Sequence, residues 1–141
     1  LQVVQAVKSD TATFTTQSFT DITGLSASIT PASTGSKILI EASIFASTGG
    51  NVAMFNIVRG STNIAQPSGS ATYSGTMHSY VGSNSMHSMN LSFLDSPNTT
   101  SSTTYKIQVR SSNLLLVAIN RYNGSDDYHA ISTLTLTEVA A

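Results

Sequence analysis

The residues that could do chemistry are few and scattered. Asn123, Asp126, Asp127 and His129 gather in the stretch YNGSDDYH, the one place where several oxygen ligands lie close together. Carboxylate and carbonyl oxygens suit a hard cation such as Ca²⁺, with Asp126 and Asp127 as the candidate metal ligands. The spacing lacks the alternating acidic positions and closing Glu of a calcium loop, and Asn-Gly and Asp-Asp are also ordinary turn chemistry. No metal and no other cofactor is assigned.

His78, His87 and His129 are the only imidazoles. With the many serines and Asp95 they could be drawn as a nucleophile, base and orienting acid. Each His, however, sits in a different segment, and no G-x-S-x-G elbow accompanies any of them. Carboxylates are not paired in a setting that suits glycoside hydrolysis. With no cysteine, thiolate catalysis, disulfides and Cys-based zinc sites are excluded. The chain reads as a non-enzyme.

Aromatic residues offer a different chemistry. Tyr73, Tyr80, Tyr122 and Tyr128 lie in or near loops, beside Asn, Asp and Gly. Rings stack on the C–H faces of sugars while amides and carboxylates bind hydroxyls. Tyr73, Tyr122, Asn123, Asp126 and Tyr128 are accordingly the candidate ligand-binding residues. Met77, Met86 and Met89 could line an adaptable surface, though such residues more often fill a core or a subunit contact. Asn90, Asn98 and Asn123 each open an N-x-[ST] sequon, a frequency this Ser- and Thr-rich composition produces by chance.

The elements that must position these residues are strands. Charged residues make up 9% of the 141, against roughly 25% in an average soluble domain. The polar surface must then be hydroxyl and amide. A net charge of −1 leaves no electrostatic footprint for nucleic acid or anionic membrane. No run is long enough to cross a membrane as a helix and no signal peptide is visible. The first residue is Leu1 rather than Met, which predicts a processed protein or the C-terminal piece of a longer one.

The stretch MNLSFLDSPNTTSSTTYKIQVR (89–110) shows the pattern most clearly. Met89, Leu91 and Phe93 alternate with Asn90 and Ser92, and Tyr105, Ile107 and Val109 alternate with Lys106, Gln108 and Arg110, the period of half-buried strands. Ser96-Pro97-Asn98 has turn chemistry, which predicts a β-hairpin between them. Further strands are predicted at Val3 to Lys8, Phe14 to Ile22, Leu25 to Thr30, Lys37 to Ser47, Val52 to Arg59, Thr62 to Ala65, Thr76 to Val81 and Ile131 to Val139. Gly49-Gly50-Asn51 reads as a hairpin turn, Gly82–Ser85 as a turn, and Gln66 to Gly75 as an exposed loop. Leu114, Leu115, Leu116 and Val117 are continuous, which predicts a strand buried on both faces. One of its faces would then serve as a subunit interface. Helical periodicity is absent throughout. Roughly eight to ten short strands predict an antiparallel β-sandwich of jelly-roll type, one domain over residues 1–141, with first and last strands side by side.

The blocks LQVVQAVKSD, SFTDITGLSASITP, KILIEAS, LSFLDSPNTTSSTTYKIQVR and ISTLTLTEVAA resemble virion structural proteins of marine and cyanobacterial tailed phages, in which such a domain forms the C-terminal part of tail-fibre-like or other exposed proteins. The resemblance implies a virion or extracellular setting and contacts with other virion proteins. It also implies a homo-oligomer, expected to be a trimer, serving as a fibre tip or capsid decoration. A receptor- or glycan-binding sandwich is the alternative.

Overall fold

A computed structural model describes residues 2–69, 71–82 and 85–141. Ser83 and Asn84, the centre of the expected Gly82–Ser85 turn, lie outside the described residues. Eleven strands form two antiparallel sheets, with no helix among the described residues. In the first sheet, the edge position is shared by β1 (Val3–Lys8) and β2 (Ala12–Phe14). Next come β11 (Ser132–Val139) and β10 (Val117–Ile119), then β4 (Lys37–Thr48), then β8 (Met86–Asp95). In the second sheet β3 (Thr20–Ile29) is followed by β9 (Thr103–Ser111) and β5 (Asn51–Arg59), with β6 (Thr62–Ile64) and β7 (Met77–Val81) sharing the far edge.

The pairing is nested. β1 and β2 pair with β11 and β10, β3 with β9, β4 with β8, and β5 with β6 and β7. Two sheets each four positions wide, joined by connections that step from one sheet to the other, are a jelly roll. The first and last strands are neighbours, as the pattern predicts, with Val3 opposite Thr137.

The alternating residues meet between the sheets. Ile38, Ile40, Ala42 and Ile44 of β4, Met89 and Leu91 of β8 and Leu134 and Leu136 of β11 face Leu25, Ala27 and Ile29 of β3, Phe55 and Ile57 of β5 and Tyr105, Ile107 and Val109 of β9. All are buried. β5 is buried on its other face as well, at Met54, Asn56 and Val58. Those positions lie opposite Arg110, Gln108 and Lys106 of β9. The long stems of such side chains can cover apolar neighbours while their heads reach water.

Four expectations require correction. The stretch 89–110 is not a hairpin: β8 pairs with β4 in one sheet, and β9 with β3 and β5 in the other. Alternation reports one buried face and says nothing of which strand lies alongside. The turn residues are real, with Asn98 at φ 53°, but they build a corner between sheets. Asp95 pins that corner, accepting from both Arg59 Nη1 (2.9 and 2.8 Å) and the Tyr105 hydroxyl (2.7 Å).

Gly49-Gly50-Asn51 likewise carries the chain from β4 to β5 in opposite sheets, with Gly50 at φ 89°. Phe14 to Ile22 is two strands rather than one, β2 ending at Phe14 and β3 beginning at Thr20 on either side of a sheet crossing. Finally, Leu114 to Val117 is not one doubly buried strand. Leu114 has φ 65° and lies 59% exposed, Leu115 is 45% exposed, and regular pairing begins only at Val117. Asn113 explains the difference, because its Oδ1 accepts from the Leu115 amide and turns the backbone back on itself.

Candidate functional site

The candidate ligand residues belong largely to one insertion, residues 120–131, which separates β10 from β11. Its base is Asn120, fully buried at φ 58°. The Asn120 amide donates through Nδ2 to the carbonyls of Lys8 (2.7 Å) and Asp10 (3.0 Å), while its Oδ1 accepts from Ser132 Oγ (2.6 Å). A backbone bond from Ala130 to the Asn120 carbonyl closes the loop. Arg121 and His129 form an isolated antiparallel bridge above this base, and the Tyr122 amide donates to the Tyr128 carbonyl at 3.2 Å. The insertion therefore stands on the end of the sandwich as a short closed finger.

That geometry brings two candidates together. The Tyr122 and Tyr128 rings meet edge to face, 5.9 Å between centroids at 82°. With Ser85 and Met86 they line a cavity of about 480 Å³. Tyr122 packs against Gly124, where a Cβ would stand 2.6 Å from Tyr122 Cε1. A glycine is thus required if that ring is to hold its position. Met86 is the first residue of β8, so the cavity lies between the finger and the end of an edge strand.

The remaining candidates behave differently. Asp126 accepts from His129 Nε2 at 3.0 Å and lies 3.6 Å from Arg121 Nε. The hydrogen bond from His129 is the main cause that holds its carboxyl below the ordinary carboxylate range, with the Arg121 charge adding to it. Those neighbours compete with a cation for Asp126. Among the described residues no group of three or more His, Asp or Glu side chains is placed to hold a metal. Asn123 turns toward the sandwich and donates to the Thr48 carbonyl at 3.2 Å, a structural contact that fixes the finger to the β4 end. Tyr73 lies apart from the pair, its ring 5.4 Å from the Arg110 guanidinium on the outer face of the second sheet, with Phe19 at 5.9 Å from the same group.

Sequence reading missed Arg121 and Met86 as members of the cluster in which it had placed His129. Arg121 and His129 are eight positions apart, and only the bridge between them joins them. Asp95, drawn above as a possible triad acid, is held by Arg59 and Tyr105 instead.

Close by, Leu115 and Leu116 pack over the β4–β5 corner. Gly49 donates to the Leu116 carbonyl at 3.0 Å, and a Cβ on Gly49 would contact Leu115 Cβ at 3.6 Å. Asn51 and Ser111 both reach the Leu115 carbonyl. The backbone is thereby fixed while the Leu114 and Leu115 side chains face outward.

No family model and no curated protein matches the sequence. Among solved structures, a chain in the structure of infectious bursal disease virus, Gt strain, superposes with a TM-score of 0.52 at 15% identity. The alignment covers 99% of this chain and 38% of that one. The sandwich described here is therefore a fold also found in a virus structure, matched along nearly its whole length.

Proposed function

We propose that this chain is a non-enzymatic structural component of a virion, a single β-sandwich domain over residues 1–141 exposed at the particle surface. In this reading it assembles as a homotrimer with other virion proteins, as a fibre tip or a decoration. The observation that carries the reading is the likeness over 99% of the chain to a chain from a virus structure. The blocks that resemble phage virion proteins support it, as does a composition with only 9% charged residues. Leu114 and Leu115, held outward by a fixed backbone, supply the subunit contact. Native mass measurement tests the assembly, with a trimer expected. A stable monomer at micromolar concentration removes the oligomeric reading, and absence of the chain from purified particles removes the virion reading.

A second function is favoured by one observation, the Tyr122–Tyr128 pair beside the cavity. A sugar ring stacked on either tyrosine, with Asp126 or Ser85 accepting from its hydroxyls, would make this end a receptor-binding tip. Glycan arrays with the intact protein and the Tyr128→Ala variant decide the matter. Binding that Tyr128→Ala leaves unchanged would place the glycan elsewhere.

A further inference from the structure

Sheet edges expose unpaired backbone groups, and proteins blunt them with short strands, bulges, charges or proline. The other edges here are shorter or interrupted. β1 is six residues long, β2 and β6 have three residues each, and β7 has five. β3 is interrupted by an irregularity between Asp21 and Ser26, around Gly24 at φ 93°.

β8 is the exception. It runs for ten residues, pairs with β4 alone and keeps one unbroken register from Met86 opposite Ser47 to Asp95 opposite Ile38. Between Met86 and Leu94 it carries no Lys, Arg, Asp, Glu or Pro. Space is open beside it. The cavity at Met86 flanks one end, and a groove of about 420 Å³, walled by Ala65–Pro67 and Gly75–Thr76, flanks Ser92 and Phe93.

The sequence of this strand is also close to a palindrome in side-chain class, centred on Asn90, with His87 against Phe93 the one unmatched pair. Read outward from Asn90, the sequence MHSMNLSFL gives Met89 and Leu91, then Ser88 and Ser92, then His87 and Phe93, then Met86 and Leu94. A twofold axis through Asn90 would set each residue against the second of its pair in an antiparallel ladder. Asn90 would meet Asn90, Ser88 would meet Ser92, and Met86 would meet Leu94, all from the outer face. Met89 would meet Leu91 on the inner face. On the outer face amide, hydroxyl and apolar groups each find their own kind, which is the self-complementarity an isologous contact needs.

We propose that the free edge of β8 pairs with β8 of a second copy of this chain about a twofold axis at Asn90, joining two sheets into one continuous sheet. A twofold contact cannot lie within a threefold ring; it links one ring to the next or forms a dimer by itself. It stands independently of the virion reading.

The absence of cysteine makes the test direct. Residues directly opposite in an antiparallel ladder have Cα atoms about 4.5–5.5 Å apart, within disulfide range. The full chain carrying Asn90→Cys should form disulfide-linked dimers under mild oxidation at least tenfold faster than the chain carrying Glu41→Cys. Glu41 lies one strand in, on β4 opposite Ser92, so two copies of it would be three strand spacings apart and offset by four residues along the strand, roughly 20 Å in all. A mixture of Ser88→Cys and Ser92→Cys chains should cross-link to each other in preference to themselves, which fixes the register. Asn90→Lys, an exposed change that sets two charges face to face, should abolish the dimer in sedimentation while leaving the melting temperature of the dilute monomer unchanged. Cross-linking of Asn90→Cys no faster than Glu41→Cys, or an unchanged assembly in Asn90→Lys, overturns the proposal.

Discussion

Removing the Asp95 carboxylate tests how much the corner between β8 and β9 contributes to the fold. Its oxygens accept from the Tyr105 hydroxyl at 2.7 Å and from Arg59 Nη1 at 2.9 and 2.8 Å. The two partners differ in what they lose. Tyr105 is fully buried, so its hydroxyl would be left without an acceptor, at a cost of about 1.5–3 kcal/mol for a bond to a charged group. Arg59 is 31% exposed and can rehydrate, so its half of the contact is worth about 0–1 kcal/mol. Asp95→Ala should therefore destabilise by roughly 2–4 kcal/mol. For 141 residues that is a fall in melting temperature of about 10 °C, read by calorimetry or urea titration. A double-mutant cycle with Tyr105→Phe isolates the buried hydrogen bond, and its coupling should be about 1–2 kcal/mol, whereas the cycle with Arg59→Ala should couple weakly. Burial, and then the bond to Asp95, raise the Tyr105 pKa above its ordinary value of 10.0. The folded chain then keeps a proton that the unfolded chain releases. Stability from this group is present below pH 10.0 and erodes as pH rises beyond it, an alkaline loss that Tyr105→Phe should remove. Coupling near zero to Tyr105 together with full coupling to Arg59 would refute this apportionment.

Further tests address the finger and the leucines. Gly124→Ala puts a methyl where the Tyr122 ring lies, so the ring should swing away, altering the near-ultraviolet dichroism and weakening any glycan binding with little change in melting temperature. Leu115→Asp should weaken assembly in sedimentation more than it lowers protomer stability, because the side chain is exposed and outside the core; intact assembly with a much earlier melt would reverse that. The Asp126 carboxyl should titrate below the ordinary carboxylate range by NMR, and return toward it in His129→Ala. Because its folded pKa is lowered, its contribution to finger order is present above the ordinary carboxylate range and lost as pH falls through the lowered value. An unmoved titration in His129→Ala would show that the bond is not formed in solution.

Strand existence was legible because period-two alternation is a direct consequence of a sheet with one buried face. Ile38, Ile40, Ala42 and Ile44, or Tyr105, Ile107 and Val109, could hardly be read otherwise. Partners were not legible, since the same alternation serves a strand whichever sheet it joins. Asn98 and Gly50 marked reversals correctly, yet a turn residue permits a corner between sheets as readily as a hairpin. The leucine run failed for a local reason: the Asn113 side chain captures the Leu115 amide, and that single bond outweighs the strand preference of three apolar neighbours. At the candidate site, Tyr122 and Tyr128 were found by composition. Tyr73 was grouped with them because nothing in the sequence says that it stacks on Arg110 instead.

The nested pairing also has a consequence in time. Each pair closes a longer stretch of chain than the pair inside it, from Arg59 opposite Thr62, through Ser47 opposite Met86 and Ile29 opposite Thr103, to Lys8 opposite Ser132. The entropy of closing a loop grows with its length, and an inner pair already formed shortens the loop that the next must close. Folding is then favoured from the β5–β6 turn outward, with slow kinetics typical of distant contacts. During synthesis β4 can find β8 well before the ribosome has made β11, so the Lys37–Ser43 part of the central strand's other flank waits unpaired until residues 132–139 emerge. Any interruption of translation before that point would release a sandwich with a second open edge.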